Sequence, residues 1–160
     1  MEISSVKVVC PEGVGVIVGQ AHFIKTVEDL YEVMVTAAPG VRFGIAFAEA
    51  SGPCLVRRDG NDDALTEFAA RVVRDVGAGH SFVVAMKDGY PINVLNAVNA
   101  CQEVCDVHSA TSNPVEVIVA RTEQGSGILG VVDGASPKGV EGPKEAEERG
   151  AFLRKIGYKR

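Results

Sequence analysis

Positive charge is in short supply in this chain: 16 Lys and Arg stand against 21 Asp and Glu, a formal net charge of −5. A general DNA or RNA binder neutralises phosphates with a basic surface, and no Lys/Arg cluster provides one here. Long apolar runs are missing too. None approaches the roughly 20 residues that cross a bilayer as a helix, and Met1–Ser5 lacks the basic and apolar regions of a signal peptide. The expectation is a cytoplasmic protein with neither membrane nor nucleic-acid partners. Cysteine is sparse, and Cys10, Cys54, Cys101 and Cys105 form no CxxC pair. Cys101 and Cys105 can share a helix face, but two thiols are too few for zinc. Reduced cysteines and no structural metal are therefore expected.

Familiar catalytic signatures are also lacking. There is no GxxxxGK[ST] phosphate loop, no HRD or DFG element and no GxSxG elbow. What remains is ordinary globular material. Of the 160 residues, 46% are hydrophobic and 23% charged, which excludes a mostly disordered chain and fits one domain spanning residues 1–160.

Valine-rich runs at Val6–Cys10 and Val14–Val18 read as buried strands. Thr26 reads as the N-cap of a helix carrying Val27, Leu30, Tyr31 and Met34, closed by Pro39-Gly40. Val41–Glu49 and Cys54–Arg58 read as strands about the Ser51-Gly52-Pro53 turn. Asn61 opens a second helix with the stripe Leu65, Phe68, Ala69, Val72, Val73 and Val76, stopped by Gly77-Ala78-Gly79. Then come a strand at Ser81–Met86, a helix at Pro91–Ala100, strands at Val104–Ala110, Val115–Thr122 and Ile128–Asp133, and a charged helix from Pro143 to Ile156. Strands alternate with helices and later follow one another directly, which predicts an α/β domain with a mixed β-sheet. Between His80 and Ala120 only Lys87, Asp88, Glu103, Asp106 and Glu116 are charged, so this span is sheet core or subunit interface.

Gly125-Ser126-Gly127-Ile128-Leu129-Gly130 spells GxGxxG after a strand, but the extended Val131-Val132 follows it instead of a helix. A dinucleotide site is rejected on that ground. The segment is either a hairpin turn or a backbone anion cradle. Three polar segments interrupt the apolar framework. His22, Lys25 and Thr26 cluster at a predicted helix start, where anions are favoured. Glu49 ends an apolar strand, where α/β proteins place ligands. Ser109–Glu116 links two strands with small polar residues, among them Asn113, which is suited to a base or ribose edge. Each also has a plain reading as a cap, a solvated strand end or a turn. His80 and His108 lie at or in strands, where structural roles predominate.

Taken together, Gly19–Leu30, Phe43–Phe47, Glu49–Pro53, Gly77–Phe82, Tyr90–Ala97 and Glu123–Gly134 resemble the adenosine-specific kinase family. The similarity extends through Ser136–Gly139 and Phe152–Tyr158. The resemblance implies a three-layer α/β/α fold, an adenosine or AMP site, phosphoryl transfer and a homo-oligomer, either a trimer or a dimer of trimers. On this footing His22 and Glu49 are candidates for the base, with His22 a possible phosphoryl carrier. Ser51, His80, Asn93, Asn113 and Glu116 are nucleoside candidates. Lys25, Thr26, Gly125 and Gly127 are phosphate candidates, and Asp133 is a partner for Mg2+ brought with ATP. A non-catalytic adenosine or AMP sensor is the competing expectation, and a purely structural assembly protein the third.

Overall fold

The computed structural model describes residues 1–160. Its elements in chain order are β1 (Glu2–Val8), β2 (Gly15–Ala21), α1 (Thr26–Ala37), β3 (Arg42–Ala48), β4 (Val56–Gly60) and α2 (Asp63–Val76). These are followed by β5 (Ser81–Lys87), α3 (Pro91–Asn99), β6 (Val104–Thr111), β7 (Val115–Arg121), β8 (Ser126–Asp133) and α4 (Pro143–Lys155). The fold is α/β, as expected. The strands, however, form two sheets, β4-β3-β5-β2-β6 and β1-β7-β8, and every strand pairing in them is antiparallel. The expected single mixed sheet is thereby corrected. Helices intervene between strands without reversing the antiparallel pairing that follows, and pairing partners are set by contacts distant in sequence.

The two faces of the five-stranded sheet are told apart by the period of two along its strands. Ile17 of β2, Phe43, Ile45 and Phe47 of β3, and Phe82, Val84 and Met86 of β5 enter one core with Leu30, Met34, Val94 and Val98 of α1 and α3. Val16, Val18, Ala46, Ala48, Val83 and Ala85 enter the other, beneath α2 and against Val115, Val117 and Val119 of the second sheet. The layers are thus α1 with α3, the large sheet, and α2 beside the small sheet. Burial on both faces explains why the central strands read as continuous apolar runs. α2 lies so close to β3 that a Cβ at Gly44 would stand 2.1 Å from the Thr66 amide nitrogen.

Two helix starts differ from expectation. Asp62, rather than Asn61, caps α2 by accepting from the Leu65 amide at 3.0 Å. Asn61 instead ties down β3, accepting from the Phe43 amide at 2.7 Å and donating to the Val41 carbonyl at 3.0 Å. At α1 the cap position belongs to Lys25, and Thr26 is the first residue inside the helix. The end of α2 fits the sequence, with Gly77 at φ 65° in the left-handed region. No residue from 134 to 160 is buried, so α4 stands outside both cores. No helix is long and apolar enough to cross a membrane.

Candidate functional site

Antiparallel pairing gathers the connections at two opposite ends of the large sheet, separated by a strand length of roughly 20 Å. At the first end, Ala21 of β2 is level with Val104 of β6, Gln20 with Ser81 of β5, and Phe47 of β3 with Phe82. His22, Lys25, Thr26, Glu49, Ser51 and His80 therefore lie at this end. An isolated bridge from Ala78 to Ser126 brings Gly125 and Gly127 there as well. Asn93, Asn113, Glu116 and Asp133 fall at the other. One nucleoside on one chain does not span the two groups.

At the first end a cavity of about 830 Å³ opens between the β3–β4 turn, the end of α2 and the β7–β8 hairpin. Glu49, Arg74, Gln124, Gly125, Ser126 and Gly127 are on its wall. Glu49 is held by two hydrogen bonds to Oε2, from the Leu55 amide at 3.2 Å and from Arg57 Nη2 at 3.1 Å. Its Oε1 accepts no hydrogen bond from the chain. Of the GxGxxG segment only Gly125 lies in the hairpin turn, Ser126 to Gly130 being the first part of β8. The Thr122 amide and hydroxyl donate to the Gly125 carbonyl at 2.8 and 3.0 Å. The Gly125 amide is engaged by Thr122 Oγ1 at 3.3 Å. No atom beyond the neighbouring residues comes within 4 Å of a Cβ placed at Gly125 or Gly127, so a ligand can approach the backbone closely there.

The remaining candidates at this end are placed apart from that wall. His80 adopts φ 63°, which is uncommon for a residue with a Cβ. Its amide donates to the Ala48 carbonyl at 2.8 Å and its carbonyl accepts from the Ala21 amide at 2.9 Å. Its ring stacks on Phe47 at 5.5 Å between centroids. The left-handed residue leading into β5 is thus His80 and not the adjacent Gly79. His22 is exposed beside Phe23, and Ser51 is exposed in its turn. Thr26 is fully buried with its hydroxyl donated to the Phe23 carbonyl, so a phosphate does not reach it in this arrangement. The Lys25 ammonium donates to Asp29 and lies 3.5 Å from Glu103 Oε2. The Lys25 ammonium beside Asp29 holds that carboxyl below its ordinary value.

At the second end a larger cleft of about 920 Å³ includes Asn113 and Glu116 together with Lys7, Lys87 and Tyr90. Asn93 serves there as a helix cap, accepting from the Tyr90 amide at 2.8 Å. Asp133 Oδ1 accepts from Thr111 Oγ1 at 2.8 Å and from Asn113 Nδ2 at 3.1 Å, which makes it a staple between strands. A magnesium ion on Asp133 would not reach phosphates at Gly125–Gly127 of the same chain. Sequence reasoning missed Gln124, at the hairpin tip on the cavity wall, and Arg57, which is not on the wall but holds Glu49 from the paired strand β4. It also passed over Glu103, whose signal was present: a carboxylate in a span with few charges.

The class these features define is an α/β domain with its polar residues gathered where the strands end. The chain belongs to the adenosine-specific kinase family, whose pattern it matches over residues 6–159. Among solved structures it is similar to the PH1918 protein from Pyrococcus horikoshii OT3, with 45% identity and a TM-score of 0.96. That match covers 99% of this chain and 98% of the other. Comparison with curated proteins gave no match.

Proposed function

We propose that the chain binds adenosine in the cavity beside Glu49 and transfers a phosphoryl group from ATP to a ribose hydroxyl. The observation that carries this reading is Glu49, hydrogen-bonded through one carboxylate oxygen only, on the wall of a cavity with open glycine backbone in a chain of this family. Gln124 offers both a donor and an acceptor to a base edge. In the transfer, the hydroxyl proton passes to Glu49 Oε1 as the oxygen bonds to phosphorus, and the bond to the leaving nucleotide oxygen breaks. Arg57 fixes the carboxylate in position. Arg74 supplies positive charge on the wall for the phosphates. Glu49 is the one carboxylate on that wall and its Oε2 is taken, so the residues present do not fit a resident magnesium ion.

The expected result for Glu49→Gln is adenosine affinity within about threefold of the parent and turnover lower by about 100-fold or more. Calorimetry with adenosine, AMP and ATP, alongside an ATP-dependent turnover assay, measures both. His22→Gln in the same assays should retain turnover, since His22 lies off the cavity wall. Unchanged turnover in Glu49→Gln would remove the assignment of the base.

A second reading, an adenosine or AMP sensor without turnover, draws on the other cleft. Tyr90, exposed and aromatic, stands there with the ammonium groups of Lys7 and Lys87 and the amide of Asn113. Those are the elements of base stacking and phosphate binding, with the carboxylates of Glu12, Asp88 and Glu116 beside them. Binding of AMP that Tyr90→Ala abolishes, with no turnover by the parent, would favour it. In either reading the working unit is a trimer-based homo-oligomer. Its support is the apolar surface of an unburied C-terminal segment, Phe152, Ile156 and Tyr158.

A further inference from the structure

We infer that Asp29, Cys101 and Glu103 form a site for one divalent transition-metal ion of the zinc class, with the Lys25 ammonium as its resident competitor. One ligand atom from each of the three residues lies within 4.8 Å of the others. They come from three places in the fold: Asp29 from α1, Cys101 from the end of α3 and Glu103 from the entry to β6. The backbone holds the latter two firmly. The Cys101 amide donates to Val98 at 3.1 Å, its carbonyl accepts from Val104 at 3.0 Å, and the Glu103 carbonyl accepts from His22 at 3.0 Å.

Glu103 is the observation that separates this cluster from an ordinary acidic group. It is 1% exposed, and neither carboxylate oxygen has a hydrogen-bond partner. A buried carboxylate in that condition is costly unless a cation compensates it. Lys25 supplies part of the compensation at 3.5 Å, but its ammonium also donates to Asp29. One ammonium is therefore divided between two carboxylates, next to a sulfur that a metal can use.

Two oxygens and a sulfur suit zinc or cobalt better than magnesium or calcium, which take oxygen ligands. Three protein ligands leave a fourth tetrahedral position open. Ligands about 2.0–2.3 Å from such an ion stand about 3.3–3.8 Å apart, so the cluster closes with side-chain movements of about 1 Å. On binding, the sulfur–metal bond forms as the Cys101 thiol proton passes to the buffer. Lys25 keeps its proton and turns outward, its side chain already 38% exposed. The two-thiol reading of the sequence could not find this site because its oxygen ligands come from elsewhere in the fold.

The test uses the full chain, freed of metal by a chelator under reducing conditions and titrated with Co2+ and then Zn2+, with no nucleotide present. The expected result is one ion per chain, with a thiolate-to-cobalt charge-transfer band in the near ultraviolet. Cys101→Ser should lose the band, and Asp29→Asn should weaken Zn2+ binding by about tenfold or more. Lys25→Met should tighten it by a similar factor, a gain that damage to the fold does not produce. Absence of the band in both the parent and Lys25→Met would overturn the proposal. So would a band retained in Cys101→Ser, or a Zn2+ affinity unmoved by Lys25→Met. Because the ion is read directly, failure here leaves the phosphoryl-transfer reading untouched, and failure of that reading leaves this one.

Discussion

Cys101 shows how a single buried group reports on its surroundings. Burial, and after it the charge of Glu103, push its thiol from the ordinary 9.0 up to about 11. The folded chain therefore keeps a proton that the unfolded chain releases. Stability from this group is complete below pH 9 and is lost as the pH rises toward 11. Cys101→Ala should accordingly flatten the fall in stability between those values, measured by denaturant unfolding at each pH. Cys54 and Cys105 are exposed, and alkylation at pH 8 should modify them while sparing Cys101 until the chain is unfolded. At this scale the sequence was legible where one residue sufficed, as with Gly77 stopping α2. It was not legible where a partner decided the role. Asp133 and Asn113 look like free ligands until their hydrogen bond across a strand connection is seen. Thr26 looks like an open cap until its hydroxyl is found turned onto Phe23.

Among the elements, α2 was the most readable. All six residues of its predicted stripe, from Leu65 to Val76, are buried, because a strong helical period with polar residues between leaves little choice of face. Its contact with β3 depends on the absence of a side chain at Gly44. A methyl group there meets backbone atoms of Leu65 and Thr66 at 2.1–2.4 Å, which have no room to yield. Gly44→Ala should cost about 3 kcal/mol. Thermal unfolding should show this as a Tm lower by about 6–12 °C. β1 was harder to delimit. Its first half, Glu2 to Ser5, is polar and mostly exposed, so a search for valine-rich runs finds only its end. Which strands pair with which was beyond reach, since the pattern along a strand specifies its faces and not its neighbour.

For the whole molecule, the C-terminal helix stands apart from the folded core. α4 is capped by Glu145, which accepts from the Gly142 amide at 2.9 Å, and is braced by Arg149 on Glu141 at 2.7 and 3.0 Å. It contributes nothing buried to its own chain. Removal of residues 140–160 should leave Tm within about 2 °C, since surface changes away from a core cost little. In sedimentation the parent should run as an oligomer of the 16.8 kDa chain, and the shortened chain as a smaller species. A parent that sediments as a monomer at micromolar concentration would contradict the trimer-based assembly. The pairing of β1 with β7 has a consequence of another kind, for the order of events during synthesis. Glu2 to Val8 meets Arg121 to Val115, partners more than a hundred residues apart. The first strand made must wait for nearly the last before its backbone is satisfied, and such distant closure is slow. Until then β1 is an open edge on a nascent chain, and the interval before β7 emerges is when it is most exposed to pairing with the wrong partner.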